Sequence, residues 1–195
     1  MSQDSCSSKT FCAAPWVHSL TLPDGFVLPC CRAKEAIRKQ DGTGYNIRQD
    51  RPDDIWNGAG FKRMRQALLN GEKLPHCASC YEEERIGFYS YRQLLNDRYP
   101  TALVDRSRGE NDLLTAKKPI FFDIRLGNIC NLKCRMCGPG LSSQVEKDKV
   151  ASTWLGQPTT RRIGDWPEAA NLLSQLKEFC LESGPKFMRA GPSGG

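Results

Sequence analysis

Three cysteines stand close together in the second half of the chain. Cys130, Cys134 and Cys137 form a C-x3-C-x2-C pattern. Thiolates are soft ligands that select iron–sulfur clusters, zinc or Cu(I). A structural zinc ion needs four ligands, commonly from paired C-x2-C units, whereas three thiolates without an evident fourth fit a cubane cluster with one iron left free by the protein. We expect that iron to bind a substrate or cofactor; a zinc site and inert buried thiols are the alternatives.

A second group of cysteines occupies the first half. Cys12, Gly25 and Cys30 give the pattern C-x12-G-x4-C, and Cys77 with Cys80 gives C-x2-C. Four thiols can ligate a second iron–sulfur cluster or a structural zinc ion, and the spacing alone leaves both open. A metal would also stabilise a folded unit of this small size.

Neighbouring residues have weaker claims to a metal. Cys31 is an alternative to Cys30, and Cys6 is expected to be a free thiol. His76 is expected beside a ligand or in solvent. His18 is expected on a strand, facing solvent or a hydrogen-bonding partner.

The composition bounds the class of protein. The chain has 195 residues, of which 39% are hydrophobic and 26% charged, so it can form one domain or two small ones. No apolar run approaches the roughly 20 residues of a membrane span, and the first residues do not resemble a secretory signal. We therefore expect a cytoplasmic protein in which metal binding, not disulfide formation, accounts for the high number of cysteines, ten in all. The net charge of +6 is too modest to predict a nucleic-acid partner.

A hairpin is predicted to position the first cysteine group. Residues 16–22 alternate as a half-buried strand does. Pro23-Asp24-Gly25 is a turn sequence, and residues 26–28 form the returning strand. This arrangement places Cys12 and Cys30 at the same open end of the hairpin.

Two helices are predicted after the hairpin. Residues 60–70 have helical spacing of apolar side chains, with Gly71 as the stop. A second helix is predicted from Tyr81 to about Arg98. Its stripe of Ile86, Leu94 and several aromatic residues is interpreted as core.

The second half begins with a strand predicted over residues 120–126 and a cysteine loop over residues 128–140. Ser143 with Glu146 fits a capping box, which predicts a helix to about Val150. The positive end of that helix would face the loop and favour an anionic cluster.

A further helix and strand are predicted near the end of the chain. Asp165 and Glu168 fit the cap pattern again, and the face of the helix is formed by Ala169, Leu172, Leu173 and Leu176. Residues 179–181 are predicted as the next strand, and the last ten residues show no period. Strand, loop, helix, helix, strand predicts a β/α fold with parallel strands.

The loop Cys130-Asn131-Leu132-Lys133-Cys134-Arg135-Met136-Cys137, placed after a strand, resembles the signature of radical S-adenosylmethionine (radical SAM) enzymes. The resemblance implies that its cysteines hold a [4Fe–4S] cluster whose fourth iron chelates the amino and carboxylate groups of SAM, with Met136 near the adenine. It also implies reductive cleavage of SAM to methionine and a 5′-deoxyadenosyl radical, which abstracts hydrogen from a substrate. The implied partners are a peptide or small-molecule substrate and an electron donor such as a flavodoxin or ferredoxin.

The first cysteine group resembles the auxiliary-cluster (SPASM-like) extension of the same enzymes, in the single-cluster form called a twitch domain. The resemblance covers about residues 11–81 and implies that Cys12, Cys30, Cys77 and Cys80 hold a second [4Fe–4S] cluster, for electron transfer or structure. In the family this unit follows the catalytic core, whereas here it precedes the core.

Together these patterns predict an α/β chain, α+β overall. Residues 1–99 form the twitch-like domain, residues 100–118 a linker, and residues 119–195 the first βα units of a partial β/α barrel. A six-unit barrel needs roughly 190 residues, so we expect the core to be truncated and this chain alone to be inactive. The Gly-Gly-Glu-type motif of the family is degenerate at residues 181–185. The rival functions are a non-catalytic iron–sulfur electron carrier and a zinc-stabilised binding module.

Overall fold

The computed structural model describes residues 9–99, 108–109, 112–154, 169–181 and 187–190. The helices in this part of the chain are α1 (Ala14–Val17), α2 (Pro52–Trp56), α3 (Ala59–Leu69), α4 (Ala78–Arg85), α5 (Tyr91–Arg98), α6 (Ser143–Lys147), α7 (Lys149–Trp154) and α8 (Ala169–Leu181). The strands are β1 (His18–Thr21), β2 (Val27–Leu28), β3 (Arg108–Gly109), β4 (Asp112–Ala116), β5 (Phe121–Ile124) and β6 (Phe187–Ala190).

Four strands form one sheet in the order β2-β1-β5-β6. β1 and β2 pair antiparallel, with Leu20 opposite Leu28, which confirms the predicted hairpin. β1 pairs parallel with β5, and His18 lies opposite Phe121. β5 pairs parallel with β6. The mixed α and β architecture and the parallel strands agree with the predicted fold class.

One face of this sheet packs against helices α2 and α8. Phe122 of β5 meets Phe179 of α8 edge to face, with ring centroids 5.7 Å apart. Ser19, Ile55 and Leu176 border a void of only about 10 Å³ between the same layers. The core here is therefore close-packed, as protein interiors are.

Near the end of the chain, two predictions are wrong. Residues 179–181, predicted as a strand, belong to α8. The next strand is β6, inside the last ten residues, for which no period was expected. Leu172, Leu176 and Phe179 are all buried, and their spacing continues one helical face to the end of α8. The predicted cap at residues 165–168 lies outside the described residues.

The helical prediction after the cysteine pair is also corrected. Residues 81–98 are not one helix, because the chain turns at Gly87, whose φ is 85°, and α5 starts again from the capping residue Ser90. The apolar stripe interpreted as core is solvent-exposed: Ile86 and Phe88 are 54% and 66% exposed. The turn at Gly87 places these side chains on the connection between α4 and α5 instead of on a helix face.

Two smaller boundaries differ from prediction. The strand expected from residue 16 starts at His18, because residues 14–17 form α1, with a proline in its first turn. α3 covers Ala59–Leu69 and is followed by Gly71 with a φ of 77°, as predicted for its stop.

The predicted linker contains the antiparallel pair β3–β4, with a register shift between Arg108 and Gly109. Ala116 at the end of β4 is buried. Its N–H donates to the side chain of Asn57 and its carbonyl oxygen accepts from it, both at 3.0 Å. This part of the linker is therefore held against the first half of the chain. The division into domains stays a prediction.

Arg65 of α3 is fully buried although it is charged. Its guanidinium donates to the carbonyl oxygens of Pro15 and Trp56, each at 2.9 Å, and of Leu114 at 2.7 Å. A single side chain thereby joins α1, α2 and β4. Burial of this charge is compensated because its donors are paired.

Among the described helices, none has both the length and the apolar character that a membrane crossing requires.

Candidate metal centres

The glycine of the C-x12-G-x4-C pattern is required by the turn of the hairpin. Gly25 has a φ of 91°, a conformation that side chains with a Cβ disfavour. A Cβ on Gly25 would also lie 2.3 Å from Oδ1 of Asn46. The N–H of Gly25 donates to the carbonyl oxygen of Leu22 at 2.8 Å, and its own carbonyl accepts from Ile47 at 2.9 Å. This turn reverses the chain and returns Cys30 toward Cys12.

The structure brings the four thiols of the first group into one neighbourhood. Cys30, Cys77 and Cys80 all act electrostatically on the thiol of Cys12. Cys12, Cys30 and Cys80 are buried, Cys77 is half-buried, and all four are free thiols. That they are metal ligands stays a prediction.

Burial is the largest influence on the pKa of three of these thiols, Cys12, Cys30 and Cys77. It raises the pKa of Cys12 well above its usual value, with smaller contributions from the other three thiols. It raises the pKa of Cys30 to about 12 and that of Cys77 to about 11. The thiols of Cys12, Cys30 and Cys77 are therefore neutral at pH 7 in the absence of a cation. A coordinated metal deprotonates a thiol, so binding here is coupled to proton release.

Backbone N–H groups point at two of these sulfurs. The N–H of Ala14 donates to Cys12, and those of Arg32 and Ala33 donate to Cys30. These bonds lower the pKa of the thiols and so oppose the effect of burial. Hydrogen bonds to cysteine sulfur also tune the reduction potential of iron–sulfur clusters. The donor set thus fits a thiolate-bound cluster.

Cys30 and its neighbour Cys31 point in different directions. Cys31 is exposed, and its sulfur accepts a hydrogen bond from the hydroxyl of Tyr91. Of the two, only Cys30 acts on the thiol of Cys12. The structure therefore groups Cys30, not Cys31, with the other three thiols.

Helix α5 holds the backbone around Cys12, which the sequence did not reveal. Nη1 of Arg92 donates to the carbonyl oxygen of Phe11 at 2.6 Å. The side chain of Asn96 donates to the same oxygen at 2.9 Å and accepts from the N–H of Ala13 at 2.8 Å. The charge of Arg92 also lowers the pKa of Cys77. Polar residues on a short helix are normally solvent-facing, so no sequence signal marks these two.

The two histidines lie in different surroundings. His76 is half-buried beside Cys77, and neither of its ring nitrogens has a hydrogen-bond partner among the described residues. His18 was expected to face solvent or a partner, and this is wrong. It is fully buried, its ring nitrogens have no partner in the described part of the chain, and its ring packs 4.5 Å from that of Phe121.

The loop cysteines also lie together. The pKa of Cys137 is raised, first by desolvation and then by the neighbouring thiols of Cys134 and Cys130. Cys134 is exposed and the other two are half-buried. Met136 is 95% exposed. The loop thiols are thus more exposed than those of the first group.

The two cysteine groups lie toward opposite ends of the shared sheet. β1 runs away from Cys12 and β2 returns toward Cys30, so both thiols are near the start of β1. β5 runs parallel to β1, and the loop from Cys130 to Cys137 follows its carboxyl end. Carboxyl ends of parallel strands are where open α/β sheets bind ligands.

The cap of helix α6 differs by one residue from the prediction. Ser142, not Ser143, is the capping residue, and its Oγ accepts from the N–H of Val145 at 3.4 Å. Glu146 does not complete a capping box. It accepts a hydrogen bond from the side chain of Asn128 at 2.9 Å instead.

Across the described ranges, no group of three or more histidine, cysteine, aspartate or glutamate side chains is arranged so that it could hold a metal ion.

Comparison with known proteins gives one match. The family model of SPASM, an iron–sulfur cluster-binding domain, matches residues 12–81. The match starts at Cys12 and ends one residue after Cys80, so it includes the whole first cysteine group. No curated protein and no solved structure matches the chain. Residues 12–81 of this chain are therefore similar to the SPASM domain, which binds an iron–sulfur cluster.

Proposed function

We propose that this chain is a radical SAM protein with an N-terminal, single-cluster twitch domain. Cys12, Cys30, Cys77 and Cys80 hold the auxiliary [4Fe–4S] cluster. The cysteines of the loop hold a second [4Fe–4S] cluster with one iron open to SAM. When bound, this cluster and SAM supply reductive cleavage of the sulfonium and a 5′-deoxyadenosyl radical for hydrogen abstraction from a peptide or small molecule.

One observation carries this proposal. The first half of the chain matches the SPASM domain, which occurs in radical SAM enzymes. In the second half, the neighbouring thiols of Cys130, Cys134 and Cys137 lie just beyond the carboxyl end of a parallel strand. Cys134 is exposed and the other two are half-buried, so a cluster held by these thiols would be accessible to a cofactor.

The family match favours a cluster over zinc in the first group. The matching family model describes an iron–sulfur cluster-binding domain, and its match over residues 12–81 includes Cys12, Cys30, Cys77 and Cys80. Four thiols alone would also suit a structural zinc ion.

The opposite placement of the two cysteine groups supports a division of roles. The exposed loop is open to SAM and substrate. The buried first group has four protein thiols and no evident open position, so electron transfer or a structural role suits it. The loop side chains Met136 and Leu132 are exposed, 95% and 51% respectively, and supply apolar surface for a bound cofactor.

The test is anaerobic reconstitution of the chain with iron and sulfide, followed by addition of SAM. We expect two clusters per chain by iron and sulfide analysis. We also expect SAM to change the electron paramagnetic resonance (EPR) spectrum of the reduced protein, with 5′-deoxyadenosine and methionine formed under dithionite.

Cys134→Ala removes one proposed ligand of the loop cluster. This variant should lose the iron of the loop cluster, retain the iron of the auxiliary cluster, and show no spectral response to SAM. A wild-type spectrum that SAM leaves unchanged would contradict the radical SAM assignment and favour the electron carrier. Metal without inorganic sulfide would instead favour the zinc-stabilised module.

A further inference from the structure

Asn128 lies at the base of the cysteine loop and is fully buried. Its side-chain amide donates to the carbonyl oxygen of Pro139 at 3.1 Å and to Oε2 of Glu146 at 2.9 Å. Asn128 precedes Cys130 by two residues, and Pro139 follows Cys137 by two. One amide therefore joins the two ends of the loop to each other and to helix α6.

Ser143 ties the first loop cysteine to the same helix. Its N–H donates to the carbonyl oxygen of Asn128 at 2.7 Å. Its hydroxyl lies 3.2 Å from both the N–H and the carbonyl oxygen of Cys130, accepting from the first and donating to the second. The backbone on which Cys130 stands is thus fixed against the first turn of α6.

Ser142 holds the middle of the loop. Its hydroxyl donates to the carbonyl oxygen of Leu132 at 2.7 Å while it caps α6. Leu132 itself is 51% exposed. Side-chain packing does little to shape this part of the loop, because Cys134 and Met136 are exposed as well.

We infer that Asn128 is a positioning residue for the loop cluster. Together with Ser142 and Ser143 it forms a clamp, which sets the separation of the three thiols before any metal binds. This inference rests on the proposed function of the loop. Hydrogen-bonded partners behind metal ligands typically change metal affinity by about 10–100-fold when they are removed.

The clamp requires an amide at position 128. The side-chain NH2 of Asn128 faces two acceptors, the Pro139 carbonyl oxygen and the Glu146 carboxylate. An aspartate would place a carboxylate next to the Pro139 carbonyl oxygen and the Glu146 carboxylate, and it would donate to neither. An alanine would leave both acceptors without this donor in a buried site.

The experiment compares the wild type, Asn128→Ala and Asn131→Ala after reconstitution. Asn131 is an exposed amide within the same loop and is the matched control. We measure the rate at which a chelator removes iron from the loop cluster, and the EPR spectrum of that cluster. Asn128→Ala should release iron about 10–100-fold faster, with altered g-values. Asn131→Ala should match the wild type.

Two further measurements separate positioning from loss of fold. The auxiliary cluster, identified as the iron that Cys134→Ala retains, should remain in Asn128→Ala. Asn128→Asp should release iron fast, because two carboxylates then face each other at positions 128 and 146. Adding Glu146→Gln should slow the release again, because the new side-chain amide at position 146 can donate to the new carboxylate at position 128.

Wild-type release kinetics and an unchanged spectrum in Asn128→Ala would overturn the inference while leaving the proposed function intact. Loss of the auxiliary cluster together with the loop cluster would also overturn it, because the residue would then be supporting the whole fold. A wild-type chain that takes up only one cluster, held by the first cysteine group, would overturn the proposed function itself.

Discussion

The guanidinium of Arg92 donates a 2.6 Å hydrogen bond to the carbonyl oxygen of Phe11, the residue before Cys12. The same guanidinium pairs with Glu84 through Nε and Nη2, at 2.8 and 2.5 Å. Arg92 is 8% exposed, so this is a largely buried ion pair. It joins α4, α5 and the segment that carries the first cysteine.

Replacing Arg92 should destabilise the protein strongly. Arg92→Met leaves the Glu84 carboxylate without its cation and the Phe11 carbonyl without this donor. Breaking a buried pair costs about 3–5 kcal/mol, and we expect the free energy of unfolding in urea to fall by that order. Arg85→Met is the control, because Arg85 pairs with Glu82 in solvent at 2.5 Å and exposed pairs contribute little. Equal effects of the two substitutions would contradict the structural role given to Arg92.

The two adjacent cysteines should differ in iron content. Cys30→Ser should remove the iron of the auxiliary cluster, since this thiol is buried beside Cys12. Cys31→Ser should retain it, because its thiol is exposed and bonded to Tyr91. Iron and sulfide per chain give the answer. The reverse pattern would show that Cys31 is the ligand.

An alanine at Gly25 should cost more than an alanine at Gly42. Both glycines have positive φ, 91° and 85°, so both substitutions incur a backbone penalty of about 1–2 kcal/mol. Only the Cβ at position 25 meets a neighbour, Oδ1 of Asn46 at 2.3 Å; at Gly42 nothing lies within 4 Å. The difference between the two variants in the free energy of unfolding in urea gives the cost of the contact between the new Cβ and Asn46. Equal losses would mean that Asn46 moves aside freely.

His18 should make stability depend on pH. Burial lowers the pKa of its imidazole to about 4, against a smaller opposing effect of Asp123. The unfolded chain, with an ordinary pKa near 6.5, takes up a proton before the folded chain does. The free energy of unfolding should therefore fall as the pH drops from about 6.5 to 4, by about 3 kcal/mol in total, and this contribution is constant above pH 7.

His18→Phe provides the comparison, since a phenyl ring keeps the contact with Phe121. Urea unfolding of both proteins between pH 4 and 7 gives the free energy of unfolding as a function of pH for each. The difference between the two curves cancels the acid sensitivity of the clusters, because both proteins share it. Parallel pH profiles would show that His18 is charged or exposed in the folded state.

The local features of this fold were readable from the sequence. The hairpin follows from Pro23-Asp24-Gly25 between apolar runs, and the structure shows the positive φ that the glycine provides. That same turn brings Cys30 back toward Cys12, so the pairing of these two could be predicted with it. Cys77 and Cys80 were added to the group by their C-x2-C spacing.

Features decided by distant contacts were not readable. Arg65 is buried where several backbone carbonyls from other elements converge on it, and Arg92 where it meets the Phe11 carbonyl and the Glu84 carboxylate. Nothing adjacent in sequence marks either position. β6 is a strand because it pairs with the edge of β5.

The helical identity of residues 179–181 was readable, since Phe179 continues the spacing of Leu172 and Leu176, but the short apolar run was mistaken for a strand.

The pairing of β1 with β5 has a consequence for how the protein is made. His18 and Phe121 lie side by side although about a hundred residues of chain separate them. Contacts this far apart in sequence form slowly, because the intervening chain must first be brought together. During translation β1 has no parallel partner until Phe121 has left the ribosome, so until then its edge is open to aggregation or to capture by a chaperone.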